Sequence, residues 1–147
     1  MNAQSATATA AHSPSLILLR EDAGDVAILT LNRPQARNSL SEALLEALGE
    51  ALTAIADQRA VRAVIVTANG PAFSAGHDLK ELNRRRTDVD RGRAYFKHIM
   101  ELCSTVMQQI VTLPQPVIAA VQATATAAGC QLVASCDLAV AARTAKF

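Results

Sequence analysis

The sequence predicts an α/β fold, a sheet crossed by helices with right-handed connections, on three observations. Short runs rich in Val, Ile and Leu alternate with longer stretches of helical period in the order ββαβαβαβ. The runs after the first two are almost wholly apolar, as strands buried in a sheet interior are. Half of the 147 residues are hydrophobic, enough for one domain with a real core.

The elements follow in order. "LILLR" and "VAILTLN" are strand-like runs separated by "EDAGD", whose Gly24 and Asp25 suit a hairpin turn. The segment "RPQARNSLSEALLEALGEALTAIADQRAV" carries a helix: Leu44, Leu45, Leu48, Leu52 and Ile55 recur at helical spacing, and Ser39 with Glu42 reads as a capping box. "RAVIVTA" is a third strand, expected to be buried on both faces. The loop "NGPAFSAGHDLKEL" then leads through a polar, Arg-rich stretch to a long helix over about Ala94 to Ile110, with Ile99, Leu102, Val106 and Ile110 on its apolar side. "TLPQP" ends that helix, because proline does not fit a helix interior. "VIAAV" is a buried strand, "AAGCQLVAS" a short helix and "DLAVA" a further strand.

Composition excludes several functions. Charged residues make up 18% and the formal net charge is +1, so no overall field draws nucleic acid or an anionic membrane. The basic cluster of Arg84, Arg85, Arg86, Arg91 and Arg93 is interleaved with Glu81, Asp88 and Asp90, the pattern of a solvated face. Cys103, Cys130 and Cys136 form no CxxC pair and have no ligand partners at metal spacing; they read as reduced, mostly buried thiols, with no metal site. No apolar run reaches bilayer length, so no membrane insertion is expected. Residues 1–14, rich in Ala, Ser and Thr without Lys or Arg, read as a disordered leader rather than a signal or transit peptide, and residues 15–147 as the domain. A cytoplasmic protein is expected, or a mitochondrial-matrix one from a eukaryotic source.

Two strand-to-helix loops are candidates for chemistry. In "AFSAGHDLKEL" the small residues Ser74, Ala75 and Gly76 let a ligand approach the backbone. In "ATATAAGC" a run of small residues again precedes a helix. Free backbone N–H groups of two such loops can together form an oxyanion hole. Of the side chains nearby, His77 titrates near neutrality and could act as a base, but its main chain is the better candidate. Asp78, opening a helical turn, reads as a cap. His98, on the long helix, reads as a surface or interface residue.

"LNRPQARNSL", "AFSAGHDLKEL" and "IAAVQATATAAGCQLVASCDLAVA" resemble, in order and spacing, the three N-terminal signatures of the crotonase superfamily, the enoyl-CoA hydratases and isomerases. The resemblance runs from about Leu16 to Phe147 and is most similar to a less well understood branch. It implies a crotonase-like spiral of ββα units, of which this chain would be the N-terminal part, assembled as trimers or hexamers and acting on an acyl-CoA or enoyl-CoA thioester in fatty-acid metabolism. No cofactor is implied, since coenzyme A is part of the substrate. By position in the blocks, the oxyanion-hole donors fall on the N–H groups of His77 and Ala128. The CoA moiety falls near Ala36, Arg37 and the loop of Ala75, Gly76, His77, Asp78, Leu79 and Lys80.

The departures from the pattern matter as much. Where the family usually carries Asn-Gly and a glycine run, this chain has Gln122, Ala123, Ala127 and Ala128, and keeps Gly129. An alanine opening a helix is acceptable at negative φ, so the hole survives with tighter walls. Gln131, three residues past Ala128 on the same helix face, stands where hydratases of the family use a Glu. Its amide has no titrating proton and cannot serve as general acid or base. Two functions are therefore open: enoyl-CoA hydratase/isomerase-type chemistry with hydration weakened, or a non-catalytic acyl-CoA-binding or interaction protein, or inactive fragment, that retains the fold.

Overall fold

The computed structural model describes residues 16–147; the leader expected at 1–14 lies outside them. The element order is β1 (Leu18–Ala23), β2 (Val26–Leu31), a 3₁₀ turn (Pro34–Ala36), α1 (Glu42–Ala56), β3 (Ala63–Ala68), β4 (Ala72–Ser74), α2 (Leu79–Arg85), α3 (Arg93–Thr112), β5 (Val117–Val121), β6 (Thr124–Ala125), α4 (Ala128–Ser135) and β7 (Leu138–Ala141). The larger sheet runs β1-β2-β3-β5-β7, antiparallel between β1 and β2 and parallel elsewhere. Gly24, at φ +65°, turns the hairpin.

Alternation along the strands decides which face is the core. Ala27, Leu29 and Leu31, then Val64, Val66 and Ala68, then Val117, Ala119 and Val121 point to one side and are buried. They meet the apolar stripe of α1, from Leu44 to Ile55, and that of α3, from Ile99 to Ile110. The intervening residues, such as Ile28 and Ile65, are only partly covered. β3 is thus buried on one face, not on both as its apolar composition suggests. β7 is exposed along its whole length, and of the three cysteines only Cys103 is fully buried.

Two sequence assignments change. The N-cap of α1 is Ser41, whose side chain accepts the N–H of Leu44; Ser39 is instead drawn into a polar network described below. β4 and β6, of three and two residues, form a separate parallel pair, too short to leave a period in the sequence. Gln115 closes the helix layer by donating to the carbonyl of Ile55 near the end of α1. Among the described residues no helix is long and apolar enough to cross a membrane.

Candidate functional site

Three chain segments converge beside the small sheet. The strip Ser74 to Asp78 lies between the turn before α1 and the entry to α4. On one side the N–H of Ala75 donates to Arg37 O (3.0 Å), that of Leu40 to Gly76 O (2.7 Å) and that of Asp78 to Leu40 O (3.2 Å). On the other, the N–H of Thr126 donates to Ser74 O at 3.0 Å. Gly76, at φ +84°, fits closely here: a methyl on it would lie 2.9 Å from Ala127 Cβ and 3.2 Å from Ala128 N. The two loops singled out in the sequence therefore touch.

Asn38 holds the first turn in place. It is fully buried, at φ +50°, a backbone region where Asn is enriched. Its amide donates to Asn69 O and Ala72 O, both at 2.8 Å, while its Oδ1 accepts the N–H of Arg33 at 2.8 Å. The Arg33 guanidinium reaches Ser39 O at 2.6 Å and the Asp78 carboxylate at 3.0 Å. Asp78 also takes the hydroxyl of Ser39 and caps α2 through the N–H groups of Lys80 and Glu81. Burial pushes the Asp78 carboxyl upward, but the bonds from Arg33, Glu81 and Ser39 together outweigh it and hold the pKa below the ordinary value. The cap role read from the sequence is what the geometry gives. Arg33 and Asn38 are not among the residues the sequence reading names, although an Asn after a Pro-containing turn is a signal for a positive-φ position.

The α4 entry is equally tight. A methyl on Gly129 would lie 2.5 Å from Ser74 O and 2.7 Å from Ser74 Cβ, so glycine lets the helix press onto β4. Gln122 donates to Gly70 O and Ala72 O, tying its loop to the one before β4. Ala128 opens the helix in ordinary geometry. Ala127, its N-cap, has φ 50° and ψ −126°, a positive φ that the sequence did not announce. Neither the N–H of His77 nor that of Ala128 has an acceptor among the described residues.

Of the remaining candidates, Arg37 lines one pocket and Leu79 and Lys80 another. Ala36 is half-buried at the end of the 3₁₀ turn, while Arg37, exposed and at φ 51°, lines a cavity of about 320 Å³ with Ala72, Ala75, Thr124 and Thr126. Leu79 and Lys80 are exposed and line another of about 520 Å³ with Leu82, Asn83, Arg86 and Phe96. Gln131 is exposed one turn beyond Ala128. His77 is half-buried; its Nδ1 has no partner, and burial lowers its pKa from the ordinary value. The arginine cluster is exposed, with Arg85 stacked 4.6 Å above the Tyr95 ring. His98 is also exposed, its Nε2 2.9 Å from Glu42 Oε1. Among the described residues no group of three or more His, Cys, Asp or Glu is placed to hold a metal ion.

A mostly parallel sheet, a helix layer and two small-residue loops meeting at a helix start define a crotonase-type α/β protein. Residues 21–147 match the family model described as enoyl-CoA hydratase/isomerase, and the chain belongs to that family. It is 45% identical over 119 residues to human enoyl-CoA hydratase domain-containing protein 3, mitochondrial, covering 81% of this chain and 38% of the relative. The protein of that name from Danio rerio is 44% identical over 133 residues, 90% of this chain and 44% of its own. The crystal structure of an enoyl-CoA hydratase from Mycobacterium smegmatis superposes with a TM-score of 0.81 at 53% identity, over 88% of this chain and 49% of that one. That of the human domain-containing protein 3 gives 0.78 at 41% identity, over 88% and 49%. The chain thus spans less than half the length of the curated relatives named here.

Proposed function

We propose that this chain binds an acyl-CoA thioester with the carbonyl oxygen between the N–H groups of His77 and Ala128. These donors would stabilise the charge that grows on that oxygen as the thioester becomes enolate-like. The reading is supported chiefly by one observation: both N–H groups lack an acceptor, on two loops that Gly76 allows into contact. The CoA portion would lie along Ala36, Arg37 and the Ala75 to Lys80 loop, where Arg37 offers an exposed cation to a phosphate. Family membership supports enoyl-CoA hydratase/isomerase chemistry in fatty-acid metabolism as the reaction class, and a homotrimer or hexamer is the assembly we propose with it. The word mitochondrial in the relatives' names supports a mitochondrial location for a eukaryotic form, and the matrix is the compartment we propose. CoA is part of the substrate, and the reading calls for no resident cofactor.

Gln131 limits that chemistry. A neutral amide one turn from Ala128 can hydrogen-bond a water molecule but cannot take its proton. The protein therefore hydrates enoyl thioesters weakly, and binding without turnover is the second reading that Gln131 itself favours. The test is Gln131→Glu in the full-length protein, followed by the loss of conjugated thioester absorbance from a short enoyl-CoA. General acid–base groups contribute about 10²–10⁴-fold, so a gain of at least about tenfold is expected even if a second carboxylate is lacking. Efficient hydration by the natural protein, undiminished in Gln131→Ala, would sink this account.

A further inference from the structure

Ala127 occupies a backbone conformation that glycine enters freely and other residues rarely do, with φ 50° and ψ −126°. Positive φ turns its methyl toward the Ser74 to Asp78 strip. The methyl crowds Gly76 so closely that a second one there would lie 2.9 Å away, and the same position is 3.2 Å from Ala128 N. Ala127 is nonetheless exposed. Its methyl therefore stands on the solvent side of the seam between the loops that carry the two free N–H groups.

We infer that Ala127 is a specificity-determining residue whose methyl screens out thioesters branched at the carbon next to the carbonyl. The inference rests on the acyl-CoA reading above. An oxygen held about 3 Å from Ala128 N places its carbon about 1.2 Å further on and the next atoms about 1.5 Å beyond that. Those atoms come within van der Waals reach of a methyl on the preceding residue. An unbranched neighbour presents only hydrogens to it, whereas a branched one adds a methyl group to a space already narrowed by Ala127 and Gly76. A glycine would keep the same backbone and open the space, so the restriction comes from the methyl alone.

The experiment measures Kd by calorimetry for butyryl-CoA and 2-methylbutyryl-CoA, saturated thioesters that do not turn over, with the full-length protein and Ala127→Gly. One misfitting methyl is worth about 10–200-fold in discrimination. The natural protein is expected to prefer the unbranched thioester by at least about tenfold. Ala127→Gly should bring that ratio close to one. Because glycine suits the observed φ, the variant folds, and a thermal unfolding curve checks that it has. Equal binding of both thioesters by the natural protein, or an unchanged ratio in Ala127→Gly, would overturn the inference and leave acyl-CoA binding standing. Binding of neither would remove the thioester reading, and this inference with it.

Discussion

Replacing Gly129 with alanine sets two opposing effects against each other, and the structure decides the sign. Gly129 lies inside α4 at an ordinary helical φ, so alanine should stabilise the helix by up to about 1 kcal/mol. Against this, the new methyl would meet Ser74 O at 2.5 Å, Ser74 Cβ at 2.7 Å and Ser74 Oγ at 2.8 Å. All three contacts are closer than real Cβ atoms tolerate, and the nearest is main chain, which cannot rotate away. Ser74 is itself fixed, completely buried with its hydroxyl donated to Asn38 O. Relief requires α4 to lift from β4, and overpacking of this kind typically costs about 1–3 kcal/mol, occasionally more. The net expectation is a loss of about 2 kcal/mol, read as a lower urea midpoint at unchanged slope. Adding Ser74→Ala should restore little, since the carbonyl oxygen and Cβ remain. A Gly129→Ala protein as stable as the natural one, or more so, would refute the close approach of α4 to β4.

Two further predictions probe the turn before α1. Asn38→Asp replaces an amide that donates to Asn69 O and Ala72 O with a carboxylate that repels both; with burial of an unpaired charge, a loss of about 3 kcal/mol or more is expected in denaturant unfolding. Asp78→Asn should lower stability at pH 7, where the carboxylate engages Arg33. Because the folded pKa of Asp78 is lowered from 3.8, its contribution is fully present above that value and is lost as the pH falls through the lower folded one. The stability gap between the two proteins should therefore narrow below pH 3.8, and a gap unchanged from pH 7 to pH 2.5 would count against the Arg33 pairing.

How much was legible in the sequence depended on the range of the interaction. The main strands and helices show their period within a few residues: the five apolar positions from Leu44 to Ile55 are buried as that period requires, as are Ile99, Val106 and Ile110, with Leu102 only partly covered. The Asp78 cap was readable because a cap acts on the next two or three residues. The cap of α1 falls two positions later than expected because Ser39 and Ser41 both precede the helix, and Arg33 and the distant Asp78 claim the first of them. Arg33 and Asn38 also bond partners 31 to 45 residues away, and a local pattern that marks the Asn38 turn does not say which distant groups it holds. Ala127 was hidden for a different reason: alanine is not a residue from which positive φ is read, and the tertiary contact imposes it.

The central strip also has a history during synthesis. Its first wall, residues 37–40, precedes it in the chain, so the hydrogen bonds from Ala75 and Leu40 can close as soon as Asp78 has emerged. The second wall lies far downstream, and the Gln122 to Ala72 bond alone spans 50 residues. At a ribosomal rate of about 5–20 residues per second, β4 waits several seconds with Phe73, fully buried in the finished fold, and the carbonyl of Ser74 uncovered. That interval, not the folded state, is when this part of the chain is most open to wrong pairing.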